Sequence, residues 1–266
     1  MSIVIGNQTA FSAPEALTPF EFACANNFDA FEWFSDKKDT GAGWGEDDFS
    51  DEQCAAMAQL ARAHGIRYSV HAPWQATPLT LAGRQVLLKS IAFAKKIRAR
   101  VVNFHLSVEQ PLSAFAKGLA EVLPNAAENG VQLTIENTTK TTASDANDLF
   151  RLLADVHFGN HAGFCLDIGH ANLCPASPQG YLQYARALSP AVPIQHLHFH
   201  ENNRDADSHL TLFTGPAGQD DTALRSLLRL LHERNYDGSI ILEQWPKPPT
   251  LLVQARTRLL ELLAQV

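Results

Sequence analysis

At 266 residues, with 45% apolar and 18% charged side chains, the chain has the make-up of a soluble globular enzyme and the length for a large core. A formal net charge of −7 argues against a general binder of polyanions. Four cysteines (Cys24, Cys54, Cys165, Cys174) form no CxxC and no disulfide-like spacing, so reduced thiols are expected.

The chain runs at once into a strand-like Ser2–Gly6. No basic segment and apolar signal core precede it, and no later apolar run reaches membrane-spanning length, which predicts a cytoplasmic protein. A helix over Pro14–Asn26, opened by its proline, follows strand one at Ile3–Gly6. Strand two is Phe28–Phe34, and residues 36–43 form a polar, Gly-containing loop. Ser50 caps a helix that Gly65 stops after His64, and strand three is Ile66–His71. A long helix over Pro78–Arg98 leads to strand four, Arg100–His105. Another helix from Pro111 to Asn129-Gly130 leads to strand five, Val131–Glu136. Helix Ser144–Val156, strand six Gly163–Asp167 and helix Pro178–Leu188 come next. Strand seven is Ile194–His200, helix seven about Gln219–Arg234, strand eight Ser239–Glu243, and the last helix Leu251–Val266. Regular alternation implies parallel strands with helical crossovers, and eight units point to one closed (β/α)₈ barrel, an α/β fold over 1–266.

In such a barrel the chemistry sits at the C-terminal ends of the strands. Here those ends carry Glu32, His71, His105, Glu136, Asp167 with His170, His198 between His196 and His200, and Glu243. Asp207 and His209 add a carboxylate and an imidazole in the loop after strand seven. Hard oxygens and borderline nitrogens gathered at one mouth suit a divalent cation. The alternative for Asp167 and His170 is structural, Asp167 capping the next helix and His170 being a satisfied core histidine.

The motifs Ser69-Val70-His71-Ala72-Pro73, Thr134-Ile135-Glu136-Asn137-Thr138, Cys165-Leu166-Asp167-Ile168-Gly169-His170, His196-Leu197-His198-Phe199-His200 with Asp207-Ser208-His209, and Ile241-Leu242-Glu243 lie in order along the whole chain. In these the chain resembles the xylose isomerase-like TIM barrels, a superfamily that also holds endonuclease IV and the sugar-phosphate isomerases and epimerases. The resemblance implies a four-ligand set of Glu136, Asp167, His198 and Glu243. It implies further ligands at His170, Asp207 and His209 if two ions bind, and at His71 and His105 if three do. One to three ions are expected, of zinc or manganese, with magnesium or cobalt as alternatives.

Two function classes follow. In an isomerase or epimerase of a small sugar or sugar phosphate, Glu136 and Glu243 are the catalytic pair, one removing a carbon-bound proton and the other returning one on the opposite face. In a phosphodiester hydrolase, the full ligand set holds several zinc ions and Glu136 bridges two of them. A third class is a non-catalytic metal-binding barrel. Strand five reads Glu136-Asn137-Thr138, without the lysine two residues after the glutamate that the hydride-shifting sugar isomerases use, which leaves proton-transfer epimerases in view. Trp33, Trp74 and Trp245 stand beside candidate ligands, where flat aromatics suit the C–H faces of a sugar or could instead pack the rim. With Glu32 and His200 they make up the expected substrate contacts.

Nucleic acid is not the expected partner. The basic run Lys95-Lys96-Ile97-Arg98-Ala99-Arg100 falls at a helix end on the opposite rim, and the loop after His71 departs from that of endonuclease IV. Lys140 is an exposed loop lysine or a contact for a substrate phosphate. The Gly41-Ala42-Gly43-Trp44-Gly45 segment is read as a mobile lid. Exposed barrel helices leave a homodimer open.

Overall fold

Parallel pairing runs through eight strands and closes on itself: β1 (Val4–Gln8), β2 (Ala30–Phe34), β3 (Arg67–His71), β4 (Val101–His105), β5 (Gln132–Glu136), β6 (Ala162–Asp167), β7 (Ile194–Phe199) and β8 (Ser239–Leu242). β1 pairs with both β2 and β8, which makes the sheet a barrel. This computed structural model describes residues 3–9, 13, 15–38, 41 and 43–266.

The crossovers are helical. In chain order they are α1 (Thr18–Ala25), α2 (Asp51–His64), α3 (Leu81–Ile97), α4 (Leu112–Ala120), α5 (Leu123–Glu128), α6 (Ala143–Leu153), α7 (Ile168–Leu173), α8 (Tyr181–Ala187), α9 (Pro216–Gln219), α10 (Thr222–Glu233) and α11 (Thr250–Leu263). The expected caps form. Ser50 Oγ accepts from Gln53 N while the Gln53 side chain returns the bond to Ser50 N, and Gly65 ends α2 at φ 68°.

Three expectations shift. The helix expected from Pro111 to Asn129 breaks at Glu121 and Val122, because Pro124 has no N–H to continue the ladder and instead sits in the first turn of α5. Pro14, named as the opener of the first helix, lies outside the described residues; α1 begins at Thr18 with Pro19 in its first turn. Of the segment read as a lid, Ala42 is not described. Trp44, however, is buried against Trp33, Phe49 and Phe93, which pins this end of the loop to the body of the barrel.

Side chains alternate along each strand. Phe31, Trp33, Phe104, Ile135, Phe164, Leu197 and Ile240 belong to the buried apolar cluster under the helices. Of the positions between them, which point into the barrel, most are polar: Glu32, Ser69, His71, Asn103, Glu136, Asp167, His196 and His198 are all buried. A barrel interior is commonly filled by branched aliphatics. This one is filled with acids, imidazoles and amides towards its C-terminal mouth.

Candidate metal centre

His198 stands in the middle of the mouth. Its Nδ1 lies 3.3 Å from Glu136 Oε2, 3.5 Å from Glu243 Oε2 and 3.9 Å from Asp167 Oδ2, so the four residues of the expected core set converge on one point. Each comes from the end of a different strand. Glu243 is one residue past β8 and is kept in register by its N–H, which donates to Phe199 O. Asp167 ends β6 and makes the cap that was the structural reading of it. One carboxylate oxygen accepts from His170 N at 2.7 Å and so caps α7, while the side chain also faces His200 Nε2 at 3.1 Å.

Two flanking groups share these residues. His71 Nε2 is 3.2 Å and His105 Nε2 3.8 Å from Glu136, and the donor atoms of His71, His105 and Glu136 lie within 4.8 Å of one another. On the other side His170, His200, Asp207 and His209 form a second group within the same span. His170 Nε2 is 3.2 Å and His209 Nε2 3.4 Å from Asp207 Oδ2. The His200 and His209 rings stack at 3.8 Å. Gly169 is required here, since a Cβ on it would stand 1.9 Å from the His200 ring.

The donor set fits a divalent cation on direct grounds. Glu136 Oε1, Glu243 Oε2, His198 Nδ1 and His200 Nδ1 are buried without a hydrogen-bond partner. Orphaned carboxylate oxygens are costly unless something positive meets them. Protonated imidazoles partly fill that need. Burial opposes charge on Glu136, Glu243 and Glu32, yet the neighbouring histidines hold all three carboxyls below the usual range. Burial likewise opposes charge on His198, His170 and His71, but their carboxylate neighbours keep the rings protonated above the ordinary histidine value. His209 is raised to about 9, burial being outweighed by Asp207 and Glu243. His105 goes the other way, to about 4, because burial dominates there. A cation entering this cluster would displace those protons and take over their role.

The second layer orients the first. Asn103 hydrogen-bonds Glu136 and is itself held by Thr134 Oγ1 at 2.9 Å. Asn137 clamps the Asp167 backbone through both its amide oxygen and its amide nitrogen, 2.9 Å each, and its carbonyl meets His170 Nδ1. His71 Nδ1 lies 2.7 Å from Ala72 O, which fixes the ring proton there and leaves Nε2 towards Glu136. Asn103, Asn137 and Thr134 were not singled out in the sequence. The signal was present: Asn103 and Thr134 sit two residues before the strand-end His105 and Glu136, on the same inward face.

Several expected substrate contacts move. Glu32 is fully buried beneath His198 and cannot touch a substrate, because the inward face of β2 places it one layer below the mouth. Trp33 points outward, buried among Phe20, Phe31, Trp44, Phe49 and Tyr68, as alternation after an inward Glu32 dictates. His200 is buried among His170, Asp167 and His209 instead of lining the substrate space. Trp74 and Trp245 do reach cavities at the mouth. Trp74, 63% exposed, borders a cavity of about 420 Å³ shared with His105, Thr138 and Lys140. Trp245 lines one of about 560 Å³ with Phe34, His209 and Glu243, joined by Gln8 and Gln244, neither of which the sequence reading picked out as a contact.

Lys140 is the single lysine or arginine among the described residues lining these two cavities. The basic run 95–100 lies at the opposite end of the barrel, where Arg98 terminates α3 and Lys96 pairs with Asp51 at 2.8 Å. Among the described residues no helix is long and apolar enough to cross a membrane, and all four cysteines are free.

Known proteins of this shape include a D-tagatose 3-epimerase-like protein, which superposes with a TM-score of 0.76 at 22% identity over 99% of this chain and 98% of its own. Endonuclease IV from Thermus thermophilus superposes with a TM-score of 0.67 at 19% identity over 99% of this chain and 100% of its own. By sequence, an uncharacterized protein of Methanocaldococcus jannaschii, MJ1311, is 24% identical over 250 residues, 86% of this chain and 80% of the relative. At these identities the solved structures share the fold. The model of the xylose isomerase-like TIM barrel matches residues 20–262, and the chain belongs to that family.

Proposed function

We propose that the protein is a divalent-metal-dependent isomerase or epimerase of a small sugar or sugar phosphate that works by proton transfer. The observation that carries this reading is the approach of two carboxylates, Glu136 and Glu243, to the same nitrogen of His198, each with an oxygen left without a hydrogen bond. Glu136, Asp167, His198 and Glu243 would hold the ion, which supplies Lewis-acid polarisation of a carbonyl and its neighbouring hydroxyl. Glu136 takes the carbon-bound proton from one face and Glu243 delivers one to the other. Asn103 keeps the Glu136 carboxylate aimed, and the half-enclosed cavities beside Trp245 and Trp74 accept the two ends of a short polyhydroxylated substrate. Scarcity of lysine and arginine at the mouth supports a small molecule over a nucleic acid. The likeness to a D-tagatose 3-epimerase-like protein agrees with that choice. We further read the chain as one domain over 1–266, working in the cytoplasm, in keeping with its free thiols.

A second reading, a multinuclear zinc phosphodiesterase, is favoured by one observation: His71 and His105 gather on Glu136 while His170, Asp207 and His209 gather on the other side, giving donors for up to three ions. The likeness to endonuclease IV belongs with it. Metal analysis of protein purified without added metal separates the two, together with assays of both reactions. One manganese-type ion per chain, with solvent deuterium entering a ketose at C3, is expected. Three zinc ions per chain and product release from a small phosphodiester would replace the first reading with the second.

A further inference from the structure

At the end away from the mouth, the barrel floor holds a groove that no step of the proposed chemistry uses. It encloses about 670 Å³ and brings together four arginines: Arg62 from the last turn of α2, Arg67 at the start of β3, Arg98 at the end of α3 and Arg100 just before β4. Two of them belong to the basic run 95–100. All four are exposed. Among the described residues the single acid in the lining is Asp237, whose backbone carbonyl accepts from Arg67 Nη1 at 3.3 Å. Elsewhere Arg84, Arg151, Arg225, Arg256 and Arg258 each pair with a carboxylate. Among the described residues none of the four on the floor does.

A cation at the end of a helix offsets the negative pole of its dipole, which accounts for Arg62 and Arg98. It does not account for Arg67 or Arg100, which stand at strand starts. Arg67 shares the inward face of β3 with Ser69 and His71, so it lies on the floor itself. Arg100 is set beside it, its N–H donating to Tyr68 O at 3.4 Å. The chain as a whole carries −7, so this concentration of unpaired cations runs against its general balance. Like charges gathered around one groove repel one another unless an anion lies between them.

Charge and shape name the class of anion. Four guanidiniums less one carboxylate leave a charge of +3 on the groove. Two linked phosphoryl groups carry about −3 to −4 at neutral pH, and the planar fork of arginine grips phosphate oxygens in pairs. A single phosphate would meet only part of the four. Ala58, Ala61, Ile66 and Ile97 add an apolar wall.

We propose that the barrel floor is a second binding site, in which Arg62, Arg67, Arg98 and Arg100 hold a small anion carrying a diphosphate group. The site is separate from the mouth and needs no ion there.

The test uses the full chain in about 0.15 M salt, where loose attraction between exposed charges is screened beyond roughly 8 Å. Inorganic diphosphate and adenosine diphosphate are titrated by calorimetry, with amide resonances followed in parallel. Saturable binding is expected, with the resonances of Gly65 and Gly238, both in the groove, shifting as the site fills. Tighter binding of the nucleotide makes a nucleotide the occupant; tighter binding of the inorganic ion makes it the free anion. Orthophosphate should bind roughly tenfold more weakly, having fewer guanidiniums in reach. Arg67→Ala and Arg100→Ala should each weaken diphosphate roughly tenfold or more, the size of a lost hydrogen bond to a charged group. Arg229→Ala, which removes an exposed arginine of α10, should leave it unchanged. The proposal is overturned by an absence of saturable binding, by shifts confined to Gly169 at the mouth, or by both floor variants binding within about twofold of wild type. Orthophosphate binding as tightly as diphosphate overturns it too. Should a variant fail to fold, the resonances of the wild type decide. None of these results bears on the reading of the mouth.

Discussion

Neighbouring residues on the same strand live under opposite physics in this barrel. On β2, Trp33 packs outward into aromatic rings while Glu32 points inward to two histidines. On β5, Ile135 faces the helices and Glu136 faces the histidines of the mouth. The outward set is apolar and interchangeable in kind, and its contribution is area removed from water. The inward set is specified atom by atom, because each buried polar group needs its partner. Stability therefore belongs mainly to the outside of the strands and chemistry to the inside, though the two are a single residue apart.

The largest effect should come from an inward change. Glu136→Gln keeps the volume and removes the charge at the point where His71, His105, His198 and Asn103 meet. Turnover should fall by roughly 10²- to 10⁴-fold, the range for losing a general base, with the fold retained by circular dichroism. A residual rate above a tenth of wild type would remove Glu136 from the chemistry. An outward change should do the reverse. Phe164→Ala empties a fully buried position under α6, where its ring meets Phe150. It should cost about 3–5 kcal/mol in denaturant unfolding, and the protein that remains folded should bind zinc as wild type does. Weakened zinc binding in that folded fraction would mean that the two faces are not separable.

Chelation probes the same boundary from the ligand side. A cation at 1,000 times its dissociation constant should add about 4 kcal/mol to unfolding. Stripping it should lower the melting temperature and abolish turnover together, and stoichiometric metal should restore both. A melting temperature indifferent to chelator would place the ion, if any binds, away from the inward cluster.

The same contrast explains what was legible in the sequence. The period of the apolar runs and the spacing of proline and glycine gave eight strand–helix units, because outward residues announce themselves by hydrophobicity. The gathering of strand-end residues such as His71, Glu136 and Asp167 at the mouth was legible because ionisable residues are rare inside strands. The direction of a tryptophan was not. Trp33 and Trp245 read alike beside Glu32 and Glu243, yet Trp33 lies within a strand, where alternation forces it outward, whereas Trp245 lies past β8 and is free to turn into the mouth. Glu32 was placed at the substrate for a related reason. Its distance from the mouth depends on how far β2 is staggered against its neighbours, and stagger is a property of the closed barrel. The break at Pro124 was readable from the proline itself, and the helical period on both sides hid it.

The smallest expected effects fall on exposed and outlying groups. Trp74→Ala removes a half-free ring at the edge of the His105 cavity, and an aromatic contact of about 1 kcal/mol corresponds to a rise in KM of about fivefold with kcat unchanged. Glu46 supplies the subtler test, since it is a carboxylate buried on the wrong side of the barrel wall. Inside, histidines hold Glu32, Glu136 and Glu243 below the usual range. Burial outweighs the hydroxyls of Ser90 and Ser35 and the charge of Lys89, with no histidine beside Glu46, so its carboxyl is raised. A raised folded value means that no penalty exists below the unfolded value of about 4.3; the penalty grows as pH climbs through the folded value and is complete above it. Glu46→Gln should accordingly match wild type in unfolding free energy at pH 4 and exceed it at pH 7.5. Equal stability at both pH values, or a gain confined to acid, would show that burial alone does not set the charge state of an acid in the outer layer, and that histidine is not what distinguishes the inner one.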